Sequence, residues 1–373
     1  SFNWGHLLRE PEKLPPPSET LRIPVAIVGG GIGGLSAAWK LARSGFKDFL
    51  LFELESEAGG NARAGRNALS EYPLSAHYLP LPPPEAKAVR ELLSELGVLE
   101  GDPQAVRPRY DERYLCALPQ ERLYRNGWWE DGLLPQLGVD AAEQAQYRRF
   151  YALMASFHAR RDGGRRAFAL PMENSSRAAD LMALDQLTMR DWLLAQGIDS
   201  PHLHWYVNYA CRDDYGTDSA ETSAWAGIHY FASRAGEAQD VSDDTVLTSP
   251  GGNAWLARGL AASIGRHAGE RIVTDTLAWR VAPADGRIAV DLWQPAGQRT
   301  LRVLTEQLIW AAPLFVVPYV FSGDEPLLSA ARRFTAAPWL IANLTLSRFP
   351  EEHAGTPMAW DNVRYDSPGL RYV

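Results

Sequence analysis

The sequence predicts an α/β fold built on a parallel sheet, and three observations within residues 23–63 predict it. An apolar run at residues 23–28 leads into a glycine turn, the turn opens an amphipathic helix, and a second apolar run at residues 49–52 ends in Glu53. Strand, turn, helix and strand in that order form a βαβ unit, the crossover that two parallel strands require. Gly29, Gly31 and Gly34 fit the spacing G-x-G-x-x-G. In a Rossmann-like unit the first glycine makes the tight turn, the second lets backbone amides approach a pyrophosphate, and the third lets the helix lie close on the strand. Phosphates then sit at the helix N-terminus, where unpaired amides and the dipole favour anions. Ile32 and Gly33, in that first turn, join the three glycines as cofactor-binding candidates.

The rest of the unit agrees. Leu35, Ala38, Leu41 and Ala42 fall on one helix face, and Gly45 suits the stop. Glu53 follows Gly34 by nineteen residues, about where a carboxylate binds adenosine ribose hydroxyls, with Leu54 next to it. An acid there disfavours a 2′-phosphate, and with it NADP.

Glu53, a five-residue spacer, Gly59-Gly60 and Arg63 resemble the FAD-binding start of the flavin amine oxidase, phytoene desaturase and protoporphyrinogen oxidase superfamily. The resemblance implies FAD as cofactor in a glutathione-reductase-2-like Rossmann domain, with an inserted, largely helical substrate or cap domain and a mixed sheet. It also implies that Gly59 and Gly60 bring a second loop against the pyrophosphate and that an arginine neutralises it. Asn61 stands where the family's arginine usually follows the diglycine, which leaves Arg63 or Arg66 for that role. Residues 75–78 are implied to lie near the flavin ring, which makes Ala76, His77 and Tyr78 contact candidates. His77 is either a hydrogen-bonded loop histidine or a catalytic one.

Composition bounds the remainder. At 373 residues, 46% hydrophobic and 22% charged, the chain can hold two globular domains. A net charge of −8 argues against nucleic acid or an anionic membrane as a main partner and leaves a small-molecule substrate, with the oligomeric state open. Cys116 and Cys211 are too few for a disulfide framework, and no zinc-ligand spacing appears. His202 and His204 are two apart on a helix and diverge, so no metal is expected. The longest apolar run, residues 308–321, is broken by Pro313 and Pro318, which speaks against a membrane span and for a strand entering a loop. A cytoplasmic protein is expected, although the chain opens on Ser1 and a leader could precede it.

In order, residues 1–22 read as an extended tail because of Pro15-Pro16-Pro17. Residues 23–84 and 246–321 make up the expected cofactor domain, and residues 85–245 and 322–373 the substrate or cap domain. A helix is expected over residues 85–96. Thr188 with Asp191 opens another, and Ser200-Pro201 a third. That third helix runs into Tyr209, Asp213, Asp214 and Tyr215, which either hold a cationic substrate by carboxylate pairing and cation–π attraction or form a solvated helix end. Pro250-Gly251-Gly252, an Asn253 cap and a helix through Leu256 and Leu260 resemble a segment of the same superfamily. Four short strands follow between residues 271 and 304, with Asp285-Gly286 as a hairpin turn. The resemblance puts adenine near the backbone of Ala278 and the FAD beside Ala311.

The last stretch, WLIANLTL at residues 339–346, alternates like a strand. The superfamily's amine oxidases carry a lysine on the matching strand; here the position is Ala342 or Asn343, and no lysine occurs beyond residue 87. Asn343 therefore joins His77 as a catalytic candidate. The family's glycine-rich closing segment is not recognisable after Asp361, and the sequence is expected to be a piece of a longer protein or to lack part of the FAD site. Hydride transfer from an amine-like substrate to FAD is the expected activity. The alternatives are a desaturase or isomerase of an apolar polyene or porphyrin-like substrate, and a nucleotide-binding assembly module without turnover.

Overall fold

The structure, a computed structural model, describes residues 2–116, 120–242, 244–348, 351 and 359–371. The chain divides into two compact units, the first comprising residues 1–78, 248–336 and 341–343, the second residues 79–247, 337–340 and 344–373.

The first unit is built on a six-stranded mixed sheet. Its strands are β1 (Glu19–Val28), β2 (Phe49–Phe52), β3 (Ile272–Val273), β4 (Leu277–Ala284), β5 (Arg287–Gln294) and β6 (Arg299–Trp310), arranged β3-β2-β1-β6-β5-β4. The first four in that arrangement run parallel, with Val25 opposite Phe49 and Val28 opposite both Phe52 and Trp310. The last three form an antiparallel meander. Four consecutive β1 residues, Val25, Ala26, Ile27 and Val28, are buried, as a parallel strand covered on both faces requires. Helix α1 (Ile32–Arg43) lies against β1, β2 and β6, and α2 (Ala254–Ala268) packs along α1. Leu35, on the buried face of α1, is fully buried, a contribution of about 2 kcal/mol. Asp285 and Gly286 form the expected turn, both with positive φ.

The second unit holds helices Lys87–Glu95, Ala141–Ala159, Met189–Ala195, Pro201–Tyr215 and Ala224–Ala232 around a core that includes Phe150, Phe168, Leu181, Met189 and Val207. The caps read from the sequence form: Thr188 accepts from Asp191 N at 3.1 Å and Ser200 from Leu203 N at 3.1 Å. A three-stranded sheet joins Trp128–Asp131, Glu121–Arg125 and Asp361–Arg364.

Three expectations are corrected. Residues 1–22, expected as an extended tail, are not one over the described residues 2–22. Phe2–Gly5 is helical, His6–Arg9 and Pro11–Lys13 are 3₁₀ turns, and β1 already begins at Glu19. So short a segment is marginal by itself and folds here because Leu14, 8% exposed, packs with Leu277 and Trp293. The apolar run 308–321 is a strand entering a loop as expected, but the strand ends at Trp310 and the remainder of the run is not loop: it turns through Leu314–Val316 into a short helix, Val317–Val320. Residues 339–346 form no strand: alternation supplies the pattern, but a strand needs a neighbour, and none pairs with this stretch among the described residues.

Candidate dinucleotide-binding site

The glycine turn is closed on three sides by backbone. Gly29 has φ +103°, donates to Phe52 O at 2.9 Å, and is so close to residues 311–312 that a β-carbon would lie 2.7 Å from Ala311 C. Ala311 N in turn donates to Val28 O at 2.8 Å, so Ala311 forms the floor beneath the turn. A β-carbon on Gly34 would stand 1.8 Å from Gly29 O, and the helix can lie on its strand only because that carbon is missing. At Gly31, the residue before α1, no side chain caps the helix. Ile32 is 39% exposed, and nothing lies within 4 Å of a β-carbon on Gly33. The first-turn amides of an α-helix have no intrahelical partners, so this mouth presents donors and positive dipole to solvent.

Glu53 closes the end of β2. It is 7% exposed; Oε2 accepts from Gly30 N at 2.6 Å and Oε1 from Glu55 N at 2.8 Å. A carboxylate offers about four acceptor positions, so each oxygen keeps room for a second donor. Glu53 is fixed through its main chain as well, by Val273 O at 2.8 Å and Thr276 N at 2.8 Å.

The second diglycine meets the first. Gly59 N donates to Gly30 O at 2.7 Å, Gly31 and Gly59 form a parallel bridge, and a β-carbon on Gly60 would sit 3.0 Å from Gly31 Cα. Arg63 remains inside this turn, donating from Nε to Gly60 O at 3.3 Å and pairing with Glu55 at 3.3 Å. Arg66 is exposed and lines a small recess with residues 67–71 instead. The two arginines left open by the sequence thus differ in place.

Asn61 O accepts from Ala76 N at 2.9 Å, which ties the diglycine to residues 76–78. Three successive carbonyls of that loop are held by residues 248–253: Ala76 O by Asn253 N at 3.0 Å, His77 O by the Thr248 hydroxyl at 2.6 Å, and Tyr78 O by Asn253 Nδ2 at 2.8 Å. The expected Asn253 cap is therefore corrected; its amide faces the loop, and no side chain caps α2. Sequence reasoning did not find this bracket, because its partners are 171 and 175 residues apart and only the folded chain brings them together. The His77 ring lies 5.1 Å from that of Tyr78, and its Nδ1 is 3.3 Å from Ser75 O.

Ala278 is 8% exposed and pairs with Leu292 at a bulge in β4, where its side chain joins the core below the sheet. In the second unit the four acidic and aromatic candidates do not form one open group. Asp213 accepts from Arg371 at 2.7 Å, Arg371 also meets Asp361 at 3.0 Å, and Tyr209 OH is 3.5 Å from the same guanidinium. Tyr215 OH donates to Ala226 O at 2.7 Å. Burial raises the pKa of Tyr209, Asp214 and Tyr215. Burial works against the charge of Arg371, yet Asp213 and Asp361 hold its pKa above the ordinary value. Arg371 is thus the cation these acids meet, a partner no spacing in the sequence announced. Asn343 lies on the exposed stretch without strand structure. No group of histidines, cysteines and acids suited to a metal occurs among the described residues, and no helix of the described residues is long and apolar enough to cross a membrane.

Residues 27–96 match the family model of a NAD(P)-binding Rossmann-like domain. No curated protein matches the chain. Among solved structures the chain is similar to putrescine oxidase bound to putrescine, at 17% identity with a TM-score of 0.56, covering 81% of this chain and 61% of that one. It is similar also to cyclohexylamine oxidase from Brevibacterium oxydans, at 19% identity and TM-score 0.53, covering 83% and 63%. A CLA-producing fatty acid isomerase from P. acnes gives 15% identity and TM-score 0.57, covering 83% and 64%. The chain therefore spans a little over three fifths of the length of these structures. With its glycine turn, second diglycine and mixed sheet, it has a Rossmann-like dinucleotide-binding domain within the fold these oxidases and the isomerase share, which bears out the resemblance read from the sequence.

Proposed function

We propose that the chain is an FAD-dependent oxidoreductase acting on a small amine-like substrate. The observation that carries the cofactor reading is the double-glycine cradle, in which Gly29, Gly30, Gly34 and Gly60 occupy places a β-carbon would fill while the mouth of α1 at Gly33 stays open. The residues fit the group. The amides of Ile32, Gly33 and Gly34 would bind the pyrophosphate at the helix N-terminus, with Gly59 and Gly60 on its other side and Arg63 supplying positive charge. Glu53, its oxygens oriented by Gly30 and Glu55, would accept the ribose hydroxyls and repel a 2′-phosphate. Ala278 and Ala311 would lend backbone to the adenine and flavin ends. Ala76, His77 and Tyr78, fixed by Thr248 and Asn253, would set the wall at the isoalloxazine. FAD bound there supplies a two-electron hydride acceptor for a C–H bond next to nitrogen.

The amine substrate is supported by the likeness to a putrescine oxidase and a cyclohexylamine oxidase. A second reading, an isomerase or desaturase of an apolar substrate, is favoured by one observation: Asp213, the acid offered to a cationic substrate, is already neutralised by Arg371.

The test is the visible spectrum of the purified protein with identification of any released cofactor, then anaerobic mixing with a panel of amines. Oxidised-flavin bands, released FAD and bleaching by an amine are expected. A colourless protein that takes up no added FAD would remove the cofactor reading; bound FAD bleached by no amine would move the assignment to the second reading.

A further inference from the structure

We infer that residues 3–14 form a strap that walls the adenosine end of the cofactor site. This inference rests on the dinucleotide reading above.

The segment has a defined course. Glu10 N bonds Leu7 O at 2.9 Å, Lys13 N bonds Glu10 O at 3.0 Å, and Leu14 N bonds Pro11 O at 3.1 Å, so each turn is closed by its own backbone. After the prolines 15–17, Ser18 N docks on Thr300 O at 3.0 Å, which fixes the far end to β6. Between these anchors the apolar residues share one purpose. Leu14 is buried with Leu277 and Trp293, and Leu7, Leu8, Leu54 and Trp279 pack against them. The turn His6–Arg9 also touches the helix Val317–Val320.

The place of these contacts gives the strap its meaning. Leu54 directly follows Glu53, at the carboxyl end of β2, and a β-carbon on Gly5 would lie 3.8 Å from Leu54 Cδ2. Leu277 directly follows Thr276, whose amide holds Glu53 O. Strap, Leu54 and the start of β4 therefore form one apolar layer beside the carboxylate. In open α/β sheets ligands bind outside the carboxyl ends of the strands, and an adenosine needs an acceptor for its ribose and an apolar wall for its purine. Glu53 provides the first, and the strap layer provides the second. The ligand class is an adenosine diphosphate moiety, whether free or part of a dinucleotide.

The test uses the whole chain. Amide hydrogen exchange is followed with and without ADP, and ADP, FAD and FMN are titrated against the unaltered protein and the variants Leu7→Ser and Leu14→Ser. We expect ADP to protect residues 3–14 together with residues 29–34 and 53–55. In the variants the Kd for ADP and FAD should rise about tenfold, a change of about 1.4 kcal/mol, while any FMN binding stays unchanged. Protection of residues 29–34 and 53–55 without residues 3–14, with unchanged ADP affinity in the variants, would overturn the strap and leave the dinucleotide reading standing. ADP that protects neither segment, together with no binding of ADP or FAD in the titrations, would overturn both. The exchange experiment on the unaltered chain decides the matter even if a variant fails to fold.

Discussion

Gly33 and Gly34 are neighbours on the first turn of α1 and carry opposite requirements. A methyl group on Gly34 meets the Gly29 carbonyl at 1.8 Å, where the carbonyl is backbone and a β-carbon has no rotamer to choose, so neither can move away. Gly34→Ala should cost about 3 kcal/mol, the upper end of overpacking, and abolish dinucleotide binding. Gly33→Ala meets nothing within 4 Å and replaces glycine in a helix, so it should leave stability unchanged or raise it by up to about 1 kcal/mol, yet weaken FAD binding by filling the mouth. Denaturant unfolding and flavin titration of the two variants check the contrast. A second residue-scale prediction concerns Asp361, 5% exposed, whose pKa is pushed up to about 6 by burial, opposed by Arg371 and joined by Asp213. An acid with a raised folded pKa keeps its proton in the folded chain over a pH range in which the unfolded chain has already released it. Stability from this group therefore falls as pH rises from about 4 to 6 and stays lower above that, by up to about 3 kcal/mol. Asp361→Asn cannot titrate and should reduce the pH dependence of the melting temperature across that window; Glu121 and Asp214, whose pKa values burial also raises, keep the remainder.

At the scale of elements, the segment with less apolar content is the one that packs, residues 3–14 against residues 339–346. Residues 3–14 bury Leu14 because Leu277 and Trp293 offer a surface to it. Residues 339–346 have the better strand pattern, yet Leu340 is 94% and Leu344 81% exposed. Local propensity cannot create a ladder without a second strand, and an unpaired apolar segment rich in β-formers invites association between chains. Replacing both leucines by lysine should change the folding free energy by less than about 0.5 kcal/mol each and reduce light scattering at high protein concentration. A large loss of stability instead would mean that the stretch contributes to a core. The helix caps illustrate the opposite case. Thr188 and Ser200 were readable because their partners lie three residues away, whereas Asn253, the same kind of residue in the same kind of position, turns its amide to Tyr78 O.

At the scale of the whole molecule, the chain divides into two units, each with its own core. The first carries the two glycine turns at one end of a mixed sheet, and the second holds Arg371 between Asp213 and Asp361 beside Tyr209. What the sequence by itself determined is what depends on near neighbours along the chain: the βαβ unit, the glycine spacing, Glu53 at the end of β2, the caps at Thr188 and Ser200, and the turn at Asp285-Gly286. Each is an interaction over a few residues, or a strict spacing imposed by turn and helix geometry. Tertiary structure alone decided the fold of residues 3–14, the bracket of Thr248 and Asn253 on the loop 76–78, the place of Arg63 inside the diglycine turn and Arg66 outside it, and the pairing of Arg371 with Asp213. These contacts join residues far apart in sequence, and their free energy comes from burial and from satisfying polar groups that only the assembled chain removes from water.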